Sequence, residues 1–325
     1  MTDTEKTVRR DLRRRSLFVG LSVVGILTVQ ILASLLLGDS LQQAERAAGD
    51  SPLATLTYYA FHIGYYCLML LGAPLLFAIF FRRSPLAPRR DRQQVGAARG
   101  ILLILFGWAF CVLANYLVNY WLQFVSSFGV EPIESVTEGL SGPLPLALEL
   151  VSFALIPALV EELVFRGWFL GALRPFGERR ALLLSALFFG LMHMNLTQVP
   201  FAFMLGLVFG FIYLRTGRLW PGMVIHFLNN ALSVALDHAT LTLGMGENDA
   251  ILLQLALFGM LTLAGILAAV LLRDHPDCRA LVRPLTDRYS PVSAAARSRI
   301  MWFDPAVIIG MVALTAFTVL QEVAR

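Results

Sequence analysis

The chain has 325 residues, 57% of them hydrophobic and only 15% charged, with a formal net charge of +4. Soluble domains carry about 25% charged residues, so this composition excludes an ordinary soluble domain. It describes an all-α, polytopic transmembrane helix bundle, for which no nucleic-acid partner is expected.

The first element follows Arg13-Arg14-Arg15, where an apolar run extends from Leu17 to Leu37. The run loosely resembles a twin-arginine export signal, but at about 21 residues it exceeds the 7–15 of a cleavable signal. A retained first span is expected. Further runs long enough for a ~30 Å hydrocarbon core lie near 57–81, 101–124, 146–172, 181–196, 199–214, 221–243, 250–272 and 304–321. With the first run, near 17–38, that makes nine spans, the fifth and sixth being short.

Basic residues orient these spans, because cytoplasmic loops retain Lys and Arg. With the N-terminus cytoplasmic, all but Arg46, Arg166 and Arg325 of the 26 basic residues fall in cytoplasmic segments. The outer loops are acidic, as at Glu131, Glu134, Glu138, Glu247 and Asp249. Loops 82–99 and 273–300, both basic and proline-bearing, read as cytoplasmic. Lys6 is the only lysine, a bias that fits a GC-rich bacterial genome and hence a bacterial plasma membrane. Cys67, Cys111 and Cys278 have no paired spacing, so neither a disulfide framework nor a CxxC site is expected.

Ionised groups within spans are costly and mark functional sites by default. The fourth run, LALELVSFALIPALVEELVFRGWFLGAL, holds Glu161, Glu162 and Arg166. The fifth holds His193, and the seventh holds His226 and Asn230. At the helical rise, Glu161 and His193 lie about 18–20 Å from their cytoplasmic ends, and His226 and Asn230 about 9–15 Å. Three helices thus bring polar groups to a similar slab.

Phase then separates the two glutamates. Glu162 and Arg166 are i,i+4 neighbours that can pair, which makes them a structural brace. Glu161, about 100° round the helix, is left to face the histidines as a general base. His226 and Asn230 also share a face, while Asn229 points away. Pro157 removes a hydrogen bond just before Glu161, which favours a kink or water entry. A lone intramembrane His more often joins helices, and His62, among Tyr58, Tyr59, Tyr65 and Tyr66, is read so. Gly206 and Gly210 form a GxxxG packing pair.

These motifs are Glu161-Glu162-x-x-x-Arg166, Phe189-x-x-x-His193 and His226-x-x-x-Asn230. In this order on successive spans they resemble the CPBP family of intramembrane proteases. That family includes CAAX prenyl endopeptidases and bacterial membrane proteins linked to bacteriocin immunity. The resemblance covers roughly 145–240 and implies a catalytic core at 145–245, between a three-span region at 1–144 and a two-span region at 246–325. It further implies an endopeptidase acting on a peptide or protein, membrane-anchored in one version, near the cytoplasmic side. Glu161 and His193 would activate water, and His226 and Asn230 would hold the oxyanion. No cofactor is favoured; the alternative is zinc on Glu161, His193 and His226, with an open position for water. The competing functions are a non-catalytic binding or immunity factor and a proton-coupled transporter.

Overall fold

The computed structural model describes residues 2–82, 96–129, 142–273, 285 and 290–323. Among them the regular structure is entirely helical. The helices are α1 (Asp3–Ala47), α2 (Pro52–Phe81), α3 (Ala97–Ser126), α4 (Pro143–Phe176), α5 (Glu178–Leu191), α6 (Val199–Thr216), α7 (Trp220–Leu243), α8 (Glu247–Arg273), α9 (Ala294–Trp302) and α10 (Pro305–Val323). The basic residues expected at 83–95, the acidic ones at 131–138, Cys278 and most of the 274–289 loop lie outside the described residues.

Local chemistry sets the helix ends. Thr2 caps α1 by accepting from Glu5 N at 3.2 Å, and Ser51 caps α2 by accepting from Ala54 N at 3.1 Å, with Pro52 in the first turn. Such side chains satisfy amides that the first turn leaves unpaired. Gly217 and Gly244 end α6 and α7 in the left-handed region, at φ 65° and 56°, where a Cβ is costly.

Large apolar side chains cover the outside of the bundle, including Leu36, Ile79, Phe80 and Leu263. Such a surface suits hydrocarbon, where helices satisfy their own backbone. Each of the nine expected apolar runs contains a helix, but not every helix is long and apolar enough to cross. Six qualify: α1, α2, α3, α4, α6 and α8; α9 and α10, bent by 50°, make a seventh if taken as one span. The 14 residues of α5 reach only about 21 Å. α7 is long enough, yet it carries His226, Asn229, Asn230, Asp237 and His238.

α1 packs on α2 and α10, α3 on α8, and α5 on α6. The last pair is close: a Cβ at Gly206 would stand 2.9 Å from Ala186 Cα, so small residues let these two backbones meet. Phe165, Phe169, Phe188, Phe189 and Phe209 fill the space between α4, α5 and α6 and are almost wholly buried.

Candidate active site

α4 is not a regular helix. Its turns widen to π-helix at Leu150–Leu155 and Glu162–Leu170, on either side of Ile156–Glu161. Such widenings are frequent at functional sites. Pro157 has no N–H to return to Phe153 O, and Asn230 Nδ2 donates to that carbonyl at 3.2 Å. Ser185 Oγ donates to Phe165 O at 2.8 Å, so side chains from α5 and α7 bond carbonyls along this uneven segment.

Glu162 and Arg166 form an ion pair at 2.8 Å, each only 1% exposed. The guanidinium carbon lies 4.2 Å from the centroid of Phe189 and 5.1 Å from that of Phe209, and Nη2 donates to Gly206 O at 3.5 Å. Glu162 Oε1 also lies 3.4 Å from His226 Nδ1. α7 can come this near because position 222 is glycine; a Cβ there would stand 2.9 Å from Glu162 Oε2.

Glu161 is placed differently. Its Oε1 accepts a hydrogen bond from Tyr66 Oη on α2. Its Oε2 lies 3.8 Å from His226 Nε2 and has no hydrogen-bond partner. His226 therefore sits between the two carboxylates, its ring stacked on Phe209 at 5.3 Å and edge-on to Phe189 at 6.0 Å.

His193 is not inside a helix, as the 181–196 run implied. α5 ends at Leu191, and His193 begins the turn to α6. The turn contains Met194 at φ 48°, a left-handed residue without glycine to announce it. Irregular backbone at membrane depth must be satisfied by protein, and this turn is. Asn195 Oδ1 accepts from Thr197 N at 2.9 Å and from Thr197 Oγ1 at 2.6 Å. Asn195 O accepts from Val199 N at 2.9 Å, and Trp121 Nε1 donates to Leu196 O at 3.1 Å. His193 Nδ1 lies 2.9 Å from Phe189 O. A carbonyl only accepts, so this contact places a hydrogen on Nδ1 and leaves Nε2 as the other ring nitrogen.

Glu161 and His193 line one cavity of about 220 Å³, with Gln30, Tyr66, Phe165 and Met192 among its other walls. That is ample for water, since one molecule needs only about 10–15 Å³ of such space. His226 touches Glu161 but does not line the cavity, and Asn230 is turned to Phe153 O and to Asn229 Nδ2, 3.3 Å away. Asn229 points off the His226 face, as its phase implies, into a second polar cavity of about 230 Å³ with Asn115, Asp237 and Gln254. Gln30 belongs to no motif and was not singled out in the sequence, and Tyr66 stood there only among the tyrosines beside His62, with no role at the site. The signal for Tyr66 was its depth, about 22 Å from the cytoplasmic end of α2, close to that of Glu161.

Among the described residues no three His, Cys, Asp or Glu side chains converge to hold a metal ion; on the expected set of Glu161, His193 and His226, His193 would have to ligate through Nε2, since its Nδ1 faces the Phe189 carbonyl.

A second buried cluster joins the same three helices nearer their other ends. Tyr59 Oη donates to Glu149 Oε1 at 3.2 Å, and His238 Nδ1 lies 3.8 Å from Glu149 Oε2. His62 packs edge-on to Phe153 at 4.9 Å.

Residues 143–232 match the family described as Rce1-like, type II CAAX prenyl endopeptidase. Over 160 residues the chain is 24% identical to the Bacillus subtilis (strain 168) protein named "Putative membrane peptidase YdiL". The alignment covers 49% of this chain and 65% of that protein. No solved structure matches the chain. Glu161, Glu162, Arg166, His193, His226 and Asn230 all fall inside the matched residues, whereas Gln30 and Tyr66 lie outside. Through its α4–α7 segment, this multi-span membrane protein is similar to the Rce1-like family of CAAX-type membrane proteases.

Proposed function

We propose that the protein is an intramembrane endopeptidase that hydrolyses a peptide bond by glutamate-activated water. The observation that carries this reading is the shared cavity, which Glu161 enters from α4 and His193 from the α5–α6 turn. Water held between Glu161 Oε2 and His193 Nε2 gives its proton to Glu161 as its oxygen bonds to the substrate carbonyl carbon. The carbonyl π electrons move onto oxygen. His226, whose Nε2 lies beside Glu161 Oε2, donates to that oxyanion, as does the amide hydrogen of Asn230 not given to Phe153 O. The proton on Glu161 then passes to the departing amine as the C–N bond breaks. Each element of this scheme is ordinary catalytic chemistry, a positioned base and donors aimed at developing charge. Glu162 and Arg166 hold His226 and the α4 turn without entering the reaction.

The substrate class is a peptide or protein end that reaches the cavity, anchored to the membrane in the simplest case. The family description names prenylated CAAX ends; for this chain the broader class is proposed. The arginine distribution supports a cytoplasmic N-terminus and a cleavage site approached from the cytoplasmic side. The bacterial relative supports a bacterial plasma membrane.

The test compares wild type and Glu161→Gln in proteoliposomes mixed with a bacterial membrane fraction, reading new peptide termini by mass spectrometry. Wild type should generate them, and Glu161→Gln should lower the rate by at least about 10²–10⁴-fold while still inserting and folding. Full activity in the variant would reject the scheme. Strong chelator inhibition reversed by added zinc would reject its metal-free form.

A further inference from the structure

We propose that Tyr66 is a positioning residue for Glu161, holding one carboxylate oxygen so that the other takes the proton from water. The inference rests on the peptidase reading and deepens it. Among the described residues, the hydrogen bond from Tyr66 Oη to Oε1 is the one hydrogen bond Glu161 makes. Oε2 is left without a hydrogen-bond donor, 3.8 Å from His226 Nε2. Tyr66 also lines the cavity that Glu161 and His193 share. A glutamate has three flexible torsions, and a fixed base must lose them. The phenol supplies that restraint from α2, a helix outside the family-matched residues. The device therefore does not follow from the motifs on α4 to α7.

A tyrosine in this place could instead only clamp α2 to α4. The molecule contains its own control for that role. Tyr59 lies seven residues earlier on α2, and its hydroxyl makes the same kind of bond to another α4 carboxylate, Glu149, at 3.2 Å. Tyr59 does not line the Glu161–His193 cavity. Both bonds join the same two helices, so a mere clamp predicts the same result for both tyrosines.

The experiment measures kcat, KM, the pH–rate profile and thermal midpoint of Tyr66→Phe and Tyr59→Phe in full-length protein, with Glu161→Gln alongside. The substrate is a peptide spanning a cleavage site found in the membrane-fraction assay. Tyr66→Phe should lower kcat by about ten- to a hundredfold with KM little changed. Its acidic limb should move to higher pH, because a carboxylate that loses a donor keeps its proton longer. Tyr59→Phe should leave kcat and the pH profile unchanged and lower only the thermal midpoint. Equal effects of the two variants on kcat would overturn the proposal. So would wild-type behaviour of Tyr66→Phe beside an inactive Glu161→Gln, which leaves the peptidase reading standing. An active Glu161→Gln would reject that reading and this inference with it. If Tyr66→Phe fails to fold, 3-fluorotyrosine at position 66 replaces it. That stronger donor should shift the acidic limb to lower pH, and an unmoved limb would overturn the proposal.

Discussion

Two adjacent glutamates on α4 have separate surroundings. Glu162 is sealed with Arg166 under Phe189 and Phe209, whereas Glu161 reaches a cavity and keeps one oxygen free. The i,i+4 spacing made the pair legible in the sequence, since a buried charge so placed needs its neighbour. What spacing could not show is that Glu162 also approaches His226, because that contact depends on α7 passing close at Gly222. Arg166→Met should cost about 3–5 kcal/mol of stability by stranding Glu162. The double variant Glu162→Gln/Arg166→Met should lose less, and comparing their unfolding in one detergent checks this. Gly222→Ala should push Glu162 Oε2 from its place and lower both activity and thermal midpoint, measurable on the same purified protein.

At the scale of elements, the α5–α6 turn is what brings His193 to the site. The apolar run through 196 disguised the helix end, because Met192 and Met194 are as apolar as helix residues and no glycine marks the left-handed φ at Met194. Asn195 is the turn's internal partner, accepting through both its side chain and its carbonyl. Asn195→Ala removes two of these bonds and should destabilise the protein by about 1–3 kcal/mol, as for stranded buried donors. It should also lower kcat by letting His193 drift, while Ser293→Ala, a cap of the distant α9, should lower stability alone. α4 shows the same limit. Pro157 announced a missing hydrogen bond but not the two π-helical stretches around it, and the use of Phe153 O by Asn230 depends on α7 lying alongside.

At the scale of the whole molecule, hydropathy revealed the helices and the class of fold, and matched depth singled out three of the elements that meet. Glu161, His193 and His226 do converge on one region, yet two cavity walls come from α1 and α2, where Gln30 and Tyr66 carry no motif. Side chains that act through tertiary contact alone leave no periodic trace. The arginine pattern gives the topology a direct check: cysteine at position 179 should be labelled only from the cytoplasmic side, and cysteine at 244 only from outside. The central claim is that Glu161 turns water into the nucleophile. Its most direct test is cleavage in ¹⁸O-labelled water, reading the new C-terminal carboxylate by mass spectrometry for wild type and Glu161→Gln. The account predicts one ¹⁸O atom in the wild-type product and no product above background from the variant; wild-type turnover by Glu161→Gln, with the same label, would contradict it.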